Sequence, residues 1–192
     1  MIERLVVATQ NPDKLAEIEA VLIDSGLVGE VAQGLSWPEI EETEPTLLGN
    51  ARLKARTVCD LTRLPALGDD TGLEVAALGG APGVRTARFS GPGGTYASNR
   101  AALLAALDGV TDRRAVFRTV MCVAWPTGEE VVAAGELEGA IALEERGSDG
   151  FGYDSIFEMD RRTLAEWGHE AKLRFSHRTR AIQALAEALA GS

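Results

Sequence analysis

The sequence predicts an α/β fold, and three stretches carry that reading. Ile2 to Ala8 is an apolar, β-branched run that breaks at Thr9-Gln10-Asn11-Pro12-Asp13-Lys14 and gives way to helix-spaced Leu15, Ile18, Val21 and Leu22, so it opens as strand, loop and helix. A second helix, from about Pro45 to Thr62, runs into the apolar Leu64-Pro65-Ala66-Leu67. Further on, Ala115 to Trp125 and Glu130 to Leu143 read as antiparallel strands connected through Pro126-Thr127-Gly128.

The chain has 192 residues, 45% hydrophobic and 25% charged, which suits one domain over residues 1–192 with a substantial core. A net charge of -10 disfavours a nucleic-acid-binding protein or one that coats an anionic membrane. A small phosphate-bearing substrate remains compatible, because a cleft needs only local cations. Cys59 and Cys122 match no metal or redox spacing, and a reduced, cytoplasmic setting is the simplest account. The apolar run Leu5 to Ala8 is too short for a signal peptide or a membrane span.

Taken in order, Asn11 is a cap for the first helix and Pro12 fits its first position. The loop before it offers backbone N–H groups, a hydroxyl and Lys14 at the positive end of a helix, which suits an anion. Ala32 to Glu44 is a loop rich in acids (Glu39, Glu41, Glu42, Glu44), ordinarily a solvated run. On the second helix Asn50 and Lys54 lie four apart on one face, either as surface residues or aimed at the carboxylates that follow.

Those carboxylates are Asp69 and Asp70, in Gly68-Asp69-Asp70-Thr71-Gly72-Leu73-Glu74-Val75. The stretch reads as a turn between two short buried strands. Adjacent acids there are either ordinary turn chemistry or a site for a neutralising cation such as a magnesium ion, which takes carboxylate, water and phosphate oxygens. The Gly/Pro-dense segments Gly79 to Phe89 and Gly91 to Gly94 mark loops of unusual backbone geometry, and Ser98 to Leu107 a short helix.

Near the C-terminal end, Gly150-Phe151-Gly152-Tyr153-Asp154 sets two aromatics among glycines before an acid. It is either a pocket that stacks a flat ring or an aromatic turn packed into the core. Ser176 caps a last helix, placing His177 and Arg178 in its first turn; basic side chains at that positive end hint at an acceptor-rich ligand. Of 19 basic residues only Lys14, Lys54 and Lys172 are lysine, leaving 16 arginines, and each lysine falls in one of these segments. A compact ammonium suits such places better than a planar fork.

Together these pieces resemble the inosine triphosphate pyrophosphatase family, house-cleaning hydrolases of deaminated purine nucleotides. Seven motifs in order carry the resemblance: Thr9-x-Asn11-x-x-Lys14, Glu41-Glu42-Thr43, Asn50-Ala51-x-x-Lys54-Ala55, Asp69-Asp70-Thr71-Gly72-Leu73, Pro82-Gly83-Val84-x-Thr86-Ala87-Arg88, Gly150-Phe151-Gly152-Tyr153-Asp154 and Lys172-x-x-x-Ser176-His177-Arg178. The resemblance implies an elongated, two-lobed mixed α/β fold with a long twisted sheet and the active-site cleft between the lobes. It also implies a homodimer, with Pro82 to Gly94 as candidate contact, and Mg2+-dependent conversion of a purine nucleoside triphosphate (ITP, dITP, XTP) to monophosphate and pyrophosphate.

By position, Asp70 is implied as general base and metal ligand, with Asp69 and Glu41 or Glu42 completing the acidic set. Thr9, Gln10, Asn11, Pro12, Asp13, Lys14 and Lys54 are implied at the triphosphate, with Asn50 and Thr71 as further substrate contacts. Phe151, Gly152, Tyr153 and Asp154 are implied at base and sugar, and Lys172, His177 and Arg178 at the remaining base-side contacts. Two departures stand out: Ser155 sits where the family usually has proline, and Thr71 and Thr86 replace common serines while keeping the hydroxyl. A pyrophosphatase for another modified base and a nucleotide-binding module without hydrolysis are the competing readings.

Overall fold

The computed structural model describes residues 1–191. Its strands are β1 (Ile2–Val7), β2 (Val28–Val31), β3 (Ala66–Val75), β4 (Pro82–Gly83), β5 (Arg114–Ala124), β6 (Glu130–Ile141), β7 (Phe157–Met159) and β8 (Arg162–Thr163). Its helices are α1 (Pro12–Asp24), α2 (Leu47–Thr62), α3 (Tyr96–Ala106), α4 (Leu164–Trp167), α5 (His169–Lys172) and α6 (His177–Ala190).

The strands form one eight-stranded sheet in the order β2-β1-β3-β5-β6-β7-β8, with β4 paired to β3 off this path. β1 runs parallel to both β2 and β3, Ile2 facing Val28 and Val6 facing Ala66. Parallel neighbours require a crossover, and α1 and α2 supply the two. β5 and β6 are neighbours joined through residues 125–129, where the Gly128 N–H donates to the Trp125 carbonyl at 3.0 Å. A connection that short makes the pair antiparallel, and β6, β7 and β8 continue antiparallel. The sheet is therefore mixed, and the fold is α/β as the sequence predicts.

The chain divides into two compact units interleaved in sequence. One contains Met1–Asp70, Thr119–Gly135 and the stretch from His177 onward; the other contains Thr71–Arg118 and Glu136–Ser176.

In the first unit, α1 starts where the sequence places it, with Asn11 Oδ1 accepting from the N–H groups of Asp13 (2.9 Å) and Lys14 (3.3 Å). α2 starts at Leu47 rather than near Pro45, because Thr46 is the cap and takes the Gly49 N–H at 3.0 Å. Asn50 and Lys54 belong to the buried face of α2 with Ala51, Ala55 and Val58, which decides against surface positions. That face lies directly on β3 at Gly68, where a Cβ would stand 2.2 Å from the Ala51 carbonyl oxygen and 2.7 Å from the Ala55 nitrogen.

The expected turn at Gly68 to Val75 is not one: β3 runs unbroken through both aspartates. Side chains alternate across a strand. Gly68 and Asp70 face α2, so Asp69 faces the opposite side and meets Lys14 of α1. Each carboxylate has its own partner, and the backbone need not bend to separate them.

The second unit packs Leu73, Val75, Leu103, Leu107, Phe117, Leu137, Ile141, Tyr153, Ile156 and Phe157 into one core, with the Phe117 and Phe157 rings 4.6 Å apart. α3 begins two residues before the expected Ser98 because Thr95 and Ser98 form a reciprocal capping box. The Thr86 hydroxyl accepts from Leu73 N–H (2.7 Å) and donates to the Gly83 carbonyl (2.6 Å), so the hydroxyl at this motif position pins the 83–86 segment to β3.

Gly68→Ala is expected to cost about 3 kcal/mol or more, since the clash is with helix backbone that cannot rotate away. Urea unfolding of the variant measures this, and a loss below ~1 kcal/mol would show that α2 can lift from β3.

Candidate active site

The first unit concentrates charge around Asp69 and Asp70. Lys14 Nζ lies 3.0 Å from Asp69 Oδ2, and Lys54 Nζ donates to Glu42 Oε1 at 2.6 Å. Asn50 links two parts of the cluster: its amide donates to Asp70 Oδ2 (3.0 Å), and its carbonyl accepts the Glu44 N–H (3.0 Å). The acidic loop is thereby fastened beside Asp70, and Glu42 rather than the exposed Glu41 enters the cluster.

The two aspartates differ electrostatically although they are adjacent and both buried. Burial pushes Asp69 upward, but Lys14, Lys54 and Arg178 outweigh it and hold the carboxyl well below the usual range. Asp70 moves the other way: burial and the Glu42 charge raise its pKa beyond what Lys54 and Asn50 offset. For Lys54, burial acts to lower the pKa, yet the charges of Asp69, Glu42 and Asp70 leave it raised and the ammonium secure. One carboxylate is thus fixed as an anion and its neighbour is tuned toward proton acceptance.

Among the described residues no group of three or more His, Cys, Asp or Glu side chains forms a metal cage. Asp70 and the neighbouring Glu42 suit a magnesium ion, which is commonly held by one or two carboxylates and fills its shell with water and phosphate oxygens. The fully buried Asp69 Oδ1 has no hydrogen-bond partner among the described residues, an open oxygen on an ionised carboxylate beside Asp70.

Around the cluster, Thr9 Oγ1 accepts the Asn11 N–H (3.2 Å), while Gln10 Nε2 donates to the Trp37 carbonyl (2.9 Å) and ties this loop to the acidic one. Pro12 and Asp13 are exposed, and Thr71 is half-buried one residue after Asp70. At the start of α6, Arg178 Nη1 donates to the buried Glu17 Oε2 at 2.6 Å, and His177 Nδ1 is hydrogen-bonded to Thr119 Oγ1 at 2.6 Å. The acceptor expected near this helix start is therefore, in part, Glu17 of α1. Gly135 permits the approach, since a Cβ there would stand 2.2 Å from Ala181 N and 2.3 Å from the His177 carbonyl.

In the second unit, Lys172 Nζ donates to Asp154 Oδ2 at 2.6 Å and lies 4.7 Å from the centroid of the half-buried Phe151 ring. Asp154 Oδ2 also accepts the Phe151 N–H (2.9 Å). Gly150, at φ 78°, leaves the room this needs, as a Cβ would meet Asp154 Oδ2 at 2.3 Å. Gly152, also with positive φ, follows. Of the two readings of the alternating aromatics, Tyr153 takes core packing: it is buried, its hydroxyl donates to the Thr86 carbonyl (2.8 Å), and burial pushes its phenol up.

A family model described as the Ham1 family matches residues 5–188. The chain belongs to the Ham1 family. Ham1 relatives include a dITP/XTP pyrophosphatase of Caulobacter vibrioides, 45% identical over 190 residues (97% of each chain), and one of Mycobacterium tuberculosis, 45% identical over 196 residues (98% of this chain, 96% of that one). Among solved structures, a HAM1 protein from Coxiella burnetii superposes with a TM-score of 0.87 at 38% identity over the whole of both chains. A nucleoside-triphosphatase / dITP/XTP pyrophosphatase from Mycobacterium abscessus gives 0.74 at 42% identity, covering 95% of this chain and 97% of that one. Membership bears out the resemblance read from the motifs.

Two residues at this candidate site escape the sequence reading. Glu17 sits three residues after Lys14 in the buried stripe of α1, an acid in an apolar face and hence a legible signal. Thr119 is one β-branched residue among several in β5 and does not stand out.

Asp69→Asn is expected to lower stability by about 2 kcal/mol at pH 7, leaving the half-shielded Lys14 unpaired. Because the folded-state pKa of Asp69 is depressed, its contribution is present above the unfolded value of ~3.9 and fades as pH falls further. Thermal melts of both proteins should therefore converge in acid; a gap that persists unchanged there would contradict the assignment.

Proposed function

We propose that this chain is a Mg2+-dependent pyrophosphatase that hydrolyses non-standard purine nucleoside triphosphates (ITP, dITP, XTP) to monophosphate and pyrophosphate. The observation that carries it is the geometry of the buried cluster: Asp70 held by Asn50, Asp69 against Lys14 and Lys54 against Glu42. Paired lysines beside two buried carboxylates supply phosphate neutralisation and a base for water together, the combination that hydrolysis needs. The dITP/XTP pyrophosphatase activity of its 45% identical relatives supports the substrate class.

In this reading Asp70 takes a proton from a water as its oxygen bonds to the α-phosphorus, and the α–β bridging oxygen leaves with its electron pair on pyrophosphate. Lys54 and Lys14 neutralise phosphate oxygens as charge moves onto the leaving group. Asp70 and Glu42 are the carboxylates that would hold Mg2+. When bound, the ion supplies further charge neutralisation at the triphosphate. The loop from Thr9 to Asp13, with Asn50 and Thr71, lies in the stretches assigned to phosphate and substrate contact. Phe151, Gly152, Asp154 and Lys172 are assigned to base and sugar, Tyr153 supporting them from the core. His177 and Arg178, held by Thr119 and Glu17, complete the base side, where donors toward a 6-keto oxygen disfavour adenine.

Both compact units form one catalytic domain in this proposal, acting on the cytoplasmic nucleotide pool. No helix among the described residues is long and apolar enough to cross a membrane. A homodimer through Pro82 to Gly94 completes the reading, and light scattering of the purified protein tests it directly: a monomer at working concentration removes it.

Asp70→Asn is expected to reduce turnover of ITP by about 10²- to 10⁴-fold while nucleotide still binds. Its folded pKa is raised, so ionised Asp70 costs stability once pH rises through that value. The variant should hence melt no lower than the native protein at pH 7. Release of pyrophosphate from ITP, XTP, GTP and ATP, with Mg2+ and with chelator, is the decisive assay. Metal-dependent IMP formation supports the proposal, and near-normal turnover by Asp70→Asn would remove Asp70 as the base.

A further inference from the structure

The segment Phe151 to Ser155 is held from outside by α3, through contacts that the reaction itself does not require. Tyr96 and Arg100 lie four apart and so share a helix face. The Tyr96 ring sits 5.9 Å from the Phe151 ring, centroid to centroid. Arg100 Nη1 donates to the Gly152 carbonyl at 2.9 Å, and its Nε donates to Glu145 Oε2 at 2.9 Å. The same Glu145 oxygen accepts the Ser155 hydroxyl at 3.1 Å, and the Arg146 N–H donates to the Ser155 carbonyl at 2.8 Å.

The segment's own turns are closed by backbone bonds, from the Asp154 N–H to the Phe151 carbonyl (3.1 Å) and from the Ile156 N–H to the Tyr153 carbonyl (3.0 Å). The Gly152 carbonyl between them is served by Arg100. A side chain from another element thus holds the middle of the segment, and its hold depends on where that side chain is anchored. Glu145 is the anchor: the Arg100 side chain is largely shielded, and its planar fork lets one guanidinium reach both the acid and the carbonyl.

We infer that Arg100, Glu145 and Ser155 form a positioning brace that sets the Phe151 ring and the Asp154–Lys172 pair, and thereby the enzyme's discrimination among bases. This rests on the base-side reading of Phe151. The brace contacts described above all lie within the second unit, so their loss should weaken base binding and leave the chemical step alone. Lysine at position 100 can keep the charge but not both bonds, and threonine at position 155 keeps the hydroxyl.

The test uses the full chain and the variants Ser155→Ala, Ser155→Thr, Glu145→Gln, Arg100→Lys and Phe151→Ala, with two readouts. The first is hydrogen exchange at the Phe151, Asp154 and Ile156 amides; the second is KM and kcat for ITP and ATP. Expected is faster exchange in Ser155→Ala, Glu145→Gln and Arg100→Lys with KM for ITP raised about three- to tenfold and kcat within about twofold, and native values in Ser155→Thr. Exchange unchanged in all three overturns the brace whatever Phe151 does. Faster exchange with KM unmoved in these variants, while Phe151→Ala raises KM, overturns its role in specificity but spares the base-side reading. If Phe151→Ala also leaves KM unmoved, the base-side reading fails and the inference fails with it.

Discussion

Two carboxylates on consecutive positions of a buried strand are the constraint on which the first unit depends. Left in one environment, they would force one another toward protonation. The strand resolves this geometrically: alternation sends Asp69 to the α1 side and Asp70 to the α2 side, and each helix brings a different partner. Because α2 rests on Gly68 with no side chain between, its Asn50 is close enough to reach Asp70. The electrostatic asymmetry of the pair is thus a consequence of packing.

The three lysines share one arrangement. Lys14 meets Asp69, Lys54 meets Glu42 and Lys172 meets Asp154, each at least partly shielded from water. A buried ammonium is tolerable only when paired, and a pair that also serves an anionic ligand is organised before the ligand arrives. The arginines do other work: Arg113 donates to the carbonyls of Leu107, Ile141 and Ala142, and Arg100 to that of Gly152, where a planar fork spans acceptors that one ammonium would not.

The second unit shows how a short segment can be shaped by its neighbours. Gly150 admits the Asp154 carboxylate, Asp154 orders the Phe151 amide and Lys172, and Tyr153 anchors the turn to the core through Thr86. Ser155 joins this system through its hydroxyl, which donates to Glu145.

By itself the sequence determined the local signals. The Asn11 cap, the Pro12 helix start, the strand pair at 115–143, the α/β class and the seven motifs are readable because capping, periodicity and turn chemistry act over a few residues. Tertiary structure alone decided that Asp69-Asp70 lies in a continuous strand, since apolar flanks and a glycine fit a turn equally well until α1 and α2 supply partners on both faces. Only packing chose Glu42 over Glu41, buried Asn50 and Lys54, gave Arg178 to Glu17 and turned Tyr153 into the core. These are contacts between residues far apart in the chain, such as the 161 positions separating Glu17 from Arg178, and no local pattern encodes them.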